Sequence, residues 1–534
     1  MRERRLYPTA VVAALTLLLG ACTSMAPTYE RPAAPVAPAF PATAASAASG
    51  PASQGQPAAD IAWQQYFSDP RLKRLIDLAL ANNRDLRVAV LNIEAARATY
   101  QIRRADLFPT VGVGMNLQRQ NYDVEQLYTV GASVTGYELD LFGRVRSLGD
   151  AALASYFGTE EARKAVQMSL VAQVANLYYT MLADEAALEV TRETLKTREE
   201  SFQLTKLKFD NGAASELDFR QGESLLENAR VLLAQQTRVR LQDENALALL
   251  IGQPVPTDLP AGLDLTTQNL VADLPAGVPS DVLTRRPDVR QAEQQLIAAN
   301  ANIGAARAAF FPRITLTANG GTASTELSGL FKSGSGVWSF APSITLPIFD
   351  AGRNRANLDT AEVNRDIAVA QYEKAVQAAF REVADALAGR ATLDEQARAT
   401  AAAAAAEEAR FKLADLRYRN GVSSYLDVLD AQRALFTAQL ALVQVQAALV
   451  QNRVNLYKAL GGGWTEPAAT SAAAGTTAPA TPWRACPAKR GPPGRRSPGV
   501  PNPPARSSMV SQWAPSTSKP PALVAPSDSS AAPK

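Results

Sequence analysis

The chain states one pattern twice, and this duplication constrains its fold more than any other feature. The segment KFDNGAASELDFRQGESLL beginning at Lys208 returns as RYRNGVSSYLDVLDAQRAL beginning at Arg417, with Asn211-Gly212 matching Asn420-Gly421 and Leu217-Asp218 matching Leu426-Asp427 at an offset of 209. Other landmarks keep the same order: Leu107-Phe108-Pro109 against Phe310-Phe311-Pro312 at 203, Leu141-Phe142 against Ile348-Phe349 at 207, and Ile251-Gly252 against Leu460-Gly461 at 209. Two copies of one supersecondary unit are therefore expected over residues 62–260 and 261–465, with insertions between landmarks and not within them.

Within each copy the long segments are rich in Ala, Leu, Gln, Glu and Arg and nearly free of Pro and Gly, a helical texture. Leu148 to Phe209 runs 62 residues without a proline, which as helix extends ~93 Å at 1.5 Å per residue. No ordinary globular core needs that length. Residues 353–419 form its counterpart, and shorter helices follow each Asn-Gly turn, over 216–250 and 424–460. The last of these carries a seven-residue period in two adjacent stripes: Val428, Leu435, Leu442, Leu449 and Leu456, then Leu429, Phe436, Val443, Val450 and Tyr457. A sustained period of seven demands supercoiling against neighbours, and two stripes imply packing on two sides.

Pro109 and Pro312 end the preceding helices and open a different texture. Val111, Val113, Met115 and Leu117 alternate with small or polar residues, as do Tyr128, Val130, Ala132 and Val134. The second copy offers Ile314, Leu316 and Ala318, then Trp338, Phe340, Ile344 and Leu346. This is strand periodicity, giving one hairpin per copy over about 110–140 and 313–347. Strands of roughly 10 residues can cross a bilayer when tilted. The same alternation also fits a small soluble sheet capping a helical bundle. Four strands cannot close a barrel, and an open edge in lipid leaves backbone groups unsatisfied. Membrane insertion would thus require several chains, and three would supply an even set of about 12 strands.

Composition excludes much chemistry. The chain has no histidine, and its two cysteines are Cys22 and Cys486, which removes the common zinc sets, Cys/His pairs and Ser/His/Asp triads. Asn319-Gly320-Gly321 and Gly461-Gly462-Gly463 lack the Gly-Lys-Ser/Thr ending of a phosphate loop and are expected to be turns. A net charge of +3 over 534 residues gives no reason to expect nucleic acid. No enzyme activity, metal or diffusible cofactor is expected.

The ends differ from the repeats. Residues 1–21 pass from Arg2, Arg4 and Arg5 through an apolar run to Leu19-Gly20-Ala21-Cys22, a secretory signal too short to span a membrane. The ending resembles the lipobox of bacterial lipoproteins, which implies N-palmitoyl and S-diacylglycerol groups on Cys22. Three chains anchor durably where one binds only marginally. Thr23 is not the Asp that retains such proteins at the inner membrane, so the outer membrane is the expected address. Residues 22–61 read as an acylated tether too poor in large apolar residues to pack a core, and 466–534, rich in Pro, Ala and Ser, as disordered. An altered reading frame in the coding sequence would produce the same tail.

Duplicated helix-hairpin-helix units, the lipobox and the run from Tyr418-Arg419-Asn420-Gly421 through Tyr425-Leu426-Asp427-Val428-Leu429-Asp430-Ala431-Gln432-Arg433 to Gly461-Gly462-Gly463-Trp464 resemble the outer membrane factor family, most closely its lipoprotein branch serving resistance-nodulation-division efflux pumps. The resemblance implies a mainly α fold with β: a homotrimer with a shared 12-stranded β-barrel in outer-membrane lipid, continued by a coiled-coil α-barrel across the periplasm. It implies passive export of drugs or other small molecules, with a periplasmic adaptor and an inner-membrane pump as partners. The gate would lie at the tip near the two Asn-Gly turns. Leu426, Asp427 and Asp430 match positions lining the closed constriction, Arg433 is spaced to pair with Asp430, and Asp218 and Tyr418 match a latch between hairpins. Leu217 and Gln221 are the first-copy counterparts of Leu426 and Asp430, so only the second copy carries the charged gate. Charge reversal at Asp430, or Ala at both Asp218 and Tyr418, is expected to raise conductance. A type I protein-secretion duct and a pore-free coiled-coil adaptor lipoprotein are the competing readings.

Overall fold

A computed structural model describes residues 24–37, 39–40, 57–119, 126–268, 270 and 284–465. Cys22, the signal and the tail lie outside the described residues. Seven helices of more than one turn and four strands are described: α1 (Pro70–Asn82), α2 (Arg84–Ala105), β1 (Val111–Arg119), β2 (Gln126–Leu139), α3 (Arg144–Asp210), α4 (Glu216–Ile251), α5 (Pro287–Ala308), β3 (Arg313–Ser324), β4 (Gly336–Thr345), α6 (Arg353–Arg419) and α7 (Tyr425–Ala459). The duplication is carried into three dimensions. Helices α2 and α5 have 22 residues each, α3 and α6 have 67 each, and α4 and α7 have 36 and 35.

The helices pack as four columns, two of which are composite. Upper helices α2 and α5 flank α3, and lower helices α4 and α7 flank it again, with α6 beside α5 and α7. The lower helix of each copy ends against the start of its upper helix. Gly252 takes φ +77° at the end of α4, where an added β-carbon would lie 2.5 Å from the Asn82 carbonyl oxygen. Asn83, the N-cap of α2, donates to the carbonyl of Leu250 at 2.9 Å. In the second copy Arg286, the N-cap of α5, donates to the carbonyl of Ala459 at 2.9 Å. Both bonds satisfy a carbonyl that a helix end would otherwise leave orphaned.

Around these junctions lies the main core, where α1, the turn Trp63–Tyr66 and the end of α7 cover α3. Tyr66 and Tyr457 stack at 4.0 Å, and Tyr457 donates its hydroxyl to the carbonyl of Ile61 at 2.6 Å. The fully buried Asp69 caps α1 and also accepts from Tyr178 at 2.9 Å, Leu263 N–H at 3.0 Å and Gln268 at 3.1 Å. A carboxylate survives such burial only with hydrogen bonds of this number.

Two expectations from sequence need correction. The presumed tether packs where it is described: Tyr29 and Arg31 bond Glu293 on α5, Asn300 donates to the Pro27 carbonyl at 2.7 Å, and Phe40 stacks on Phe380 at 5.0 Å. A few aromatic and charged side chains, not a core of its own, hold this strap down. Asn319-Gly320-Gly321 is not a turn but the interior of β3, where Gly321 lies opposite Gly131. A β-carbon on Gly131 would stand 2.5 Å from the Gly320 carbonyl oxygen, so small residues let β2 and β3 approach. Gly461-Gly462-Gly463 does form a turn, with φ +85° at Gly461 and +101° at Gly463.

The sheet runs β1-β2-β3-β4, antiparallel throughout. Its register pairs Val113 with Ala132, Met115 with Val130, Ala318 with Phe340 and Ile314 with Ile344. Residues directly opposite share a face, so the alternating apolar positions form one surface, which Gly320, Thr322 and Ser324 complete at the end of β3, while Gly, Ser, Thr and Asn predominate on the other. The apolar surface is bare: Val113 is 82% exposed and Trp338 83%. Among the described residues, strands β1 and β4 each present an unpaired edge.

Candidate gate at the helical tip

Both long helices end identically. Asn211 and Asn420 donate through Nδ2 to the carbonyls of Leu207 and Leu416 at 2.7 Å, and Gly212 and Gly421 follow at φ +71° and +70°. The N–H groups of Ala213 and Val422 reach back to the carbonyls of Lys208 and Arg417, closing the helix end in Schellman fashion. Ser215 and Ser424 then open the returning helices through reciprocal capping boxes with Asp218 and Asp427.

This local chemistry gives Asp218 and Asp427 a structural task that the resemblance alone does not reveal. Asp218 accepts from the Ser215 hydroxyl at 2.8 Å, and Asp427 accepts from the Ser424 N–H at 3.2 Å. No hydrogen bond joins Asp218 to Tyr418 within the chain. Tyr418 instead accepts from Lys208 Nζ at 3.0 Å, with that ammonium 4.2 Å from the ring centroid. Beside it Tyr425 packs on Tyr418 at 5.3 Å and shares a 3.0 Å hydrogen bond with Ser201. These contacts tie the end of α3 to the α6–α7 hairpin.

Leu426, Asp430 and Arg433 follow one another at helical spacing along α7, and Leu426 is 60% exposed. Arg433 Nη2 donates to Asp430 Oδ1 at 2.9 Å, the pairing expected from spacing. A second cation completes the arrangement: Arg410 on α6 bonds the other oxygen of Asp430 and also Glu407 at 3.1 Å. Hydrogen bonds from Arg433 and then Arg410 hold the Asp430 carboxyl below the usual carboxylate range. The sequence contains a signal for Arg410, because Arg410 and Asp430 stand equally far on either side of Asn420. Residues equidistant from the turn of an antiparallel hairpin face each other. The other copy holds Arg198, Ser201, Gln221 and Ser224 where this one holds Glu407, Arg410, Asp430 and Arg433. The exposed Leu217 repeats Leu426, but the clasp does not recur.

Residues 75–253 and 278–462 match the family described as outer membrane efflux protein, one match for each copy of the repeat. The chain belongs to the outer membrane efflux protein family. It is 48% identical over 470 residues to the probable efflux pump outer membrane protein TtgC of Pseudomonas putida, covering 85% of this chain and 95% of that protein. Outer membrane protein OprJ of Pseudomonas aeruginosa is 46% identical over 478 residues, covering 87% and 98% respectively. Among solved structures, the open state of the Neisseria gonorrhoeae MtrE outer membrane channel superposes with a TM-score of 0.75 at 46% identity, covering 83% of this chain and 99% of that one. As an outer membrane efflux protein, this chain is the exit duct of an efflux system, seated in the outer membrane and extending into the periplasm. The soluble-sheet and pore-free readings fall away, and the bare apolar face of the sheet becomes the lipid face.

Proposed function

We propose that three copies of this chain form one export duct for small molecules, closed at the periplasmic tip by the Asp430 clasp. The observation that carries this reading is the pair of open edges on each sheet, which lipid does not tolerate. Three sheets edge to edge make about 12 strands, within the range of outer-membrane barrels. The helix layer has matching edges: α2 and α4 form one outer column and α6 the other. Each bears exposed apolar side chains, such as Leu91, Val231 and Leu249 on one edge and Val363 and Ile367 on the other. Ser24 lies beside Ser147 near the start of α3, just after β2, which supports N-palmitoyl and S-diacylglycerol groups on Cys22 reaching the bilayer. A periplasmic adaptor and an inner-membrane resistance-nodulation-division pump complete the path, with the adaptor on the tip turns.

At the tip, Leu426, Asp430 and Arg433 occur three times about the axis, with Asp427 and Asp218 holding the helix starts and Lys208–Tyr418 latching the hairpins. Asp430→Arg sets a third cation against Arg410 and Arg433, and the trimer in a planar bilayer is expected to conduct several-fold more. Unchanged conductance would remove the gate from this position. Asp218→Ala is the poorer test, because it also removes the N3 half of the capping box that opens α4.

A further inference from the structure

One buried ion at the tip is used by neither clasp nor latch. Arg198 on α3 is 6% exposed, already within a single chain. Its Nη1 donates to the Leu225 carbonyl on α4 at 3.0 Å, and its guanidinium lies 5.5 Å from the Phe436 ring centroid on α7. Its Nε finds no acceptor. The neighbouring carboxylates are engaged elsewhere, since Glu199 and Glu227 both pair with Arg230. The guanidinium therefore gives up hydration for one carbonyl and one ring face, and burial lowers its proton affinity. The corresponding position of the second copy is Glu407, exposed enough to pair with Arg410.

Building on the gate reading above, we infer that Arg198 is a built-in opening bias: a cation without a counter-ion that makes the closed α3–α4–α7 seam costly and is rehydrated when α7 moves off α3. A buried ion that lacks a partner is destabilising relative to an apolar side chain of similar volume. The clasp and this cation then oppose each other across α7. The clasp joins α7 to α6 on one side, while Arg198 loosens α7 from α3 on the other. A modest force at the tip can shift such a balance, because each side offsets the other.

The test uses the full-length protein purified from membranes, with amide hydrogen exchange over residues 425–440 and bilayer conductance measured in parallel. Arg198→Met keeps the length and removes the charge, and Arg198→Gln keeps polarity without charge. Both are expected to slow exchange in that segment several-fold and to lower conductance. Unchanged or faster exchange in both variants overturns the proposal, as does failure of both to fold, since a destabilising cation is dispensable. Slower exchange with unaltered conductance supports the bias on the seam and overturns the gate reading instead.

Discussion

Arg286 and Asn83 occupy equivalent places in the two copies and perform one task with different chemistry. Each stands at the N-cap position of an upper helix and donates to one of the last two carbonyls of the lower helix. Arg286 adds ion pairs to Asp288 at 2.7 Å and Glu382 at 2.8 Å while only 2% exposed. Burial opposes the charge on Asp288, but Arg286 prevails and holds that carboxyl below its ordinary value. Arg286→Ala leaves the Ala459 carbonyl without its donor, while Asp288 and Glu382 keep access to water, so the variant is expected to destabilise the fold by about 1–3 kcal/mol. Arg286→Asn, which restores the first-copy solution, should lose less, and thermal midpoints of the two variants decide this. The sequence marks Arg286 only as the residue before Pro287. Its value comes from the end of α7, a long way off in the chain, and no local pattern encodes that meeting.

Among the elements, α3 and α4 meet through an unusual carboxyl pair. Asp184 faces Asp243, and burial, then a hydrogen bond and the like charge of Asp243, push the Asp184 carboxyl up to about 6. The adjacent cation Arg240 is taken by Glu185 and Glu244. The folded protein thus holds a proton that an unfolded carboxyl with pKa ~3.9 releases. Stability from this source is complete below the unfolded value and is lost as pH rises through about 6. Asp184→Asn should flatten that slope and raise the thermal midpoint at pH 7.5 but not at pH 4. An equal gain at both values would show that the pair does not titrate in this range. Helices, strands and tip turns were legible because each rests on local spacing: proline stops, period-two alternation, Asn-Gly turns. The α7 stripe Leu429, Phe436, Val443, Val450, Tyr457 is buried throughout as its period implies, whereas Leu435, Leu442 and Leu449 on the other stripe are only partly buried. That remainder faces the side on which further helices must pack.

For the whole molecule, the chain is an incomplete object whose sheet and helix layer both end in open edges. Val231 and Leu249 stand eighteen residues apart on α4, five turns and hence one face, and Leu249 is 79% exposed. Lysine at both positions should abolish the trimer while leaving the helical circular dichroism of the chain intact, because neither side chain supports the core of a single copy. Trimers that persist would place the contact elsewhere.

The sequence by itself determined the repeat, the helix and strand periods, the tip turns, and through the opposed fates of Gln221 and Asp430 the copy in which the clasp resides. It also determined that an edge-bearing sheet must find partners, since unsatisfied backbone in lipid is costly whatever the detailed structure. Only the tertiary structure decided which charges meet. Arg410 closing on Asp430, Lys208 reaching Tyr418, Arg286 capping a helix from the distant end of the chain and Arg198 buried without a counter-ion all depend on how helices pack. Electrostatic energies are set by distance and burial, which a chain acquires only on folding.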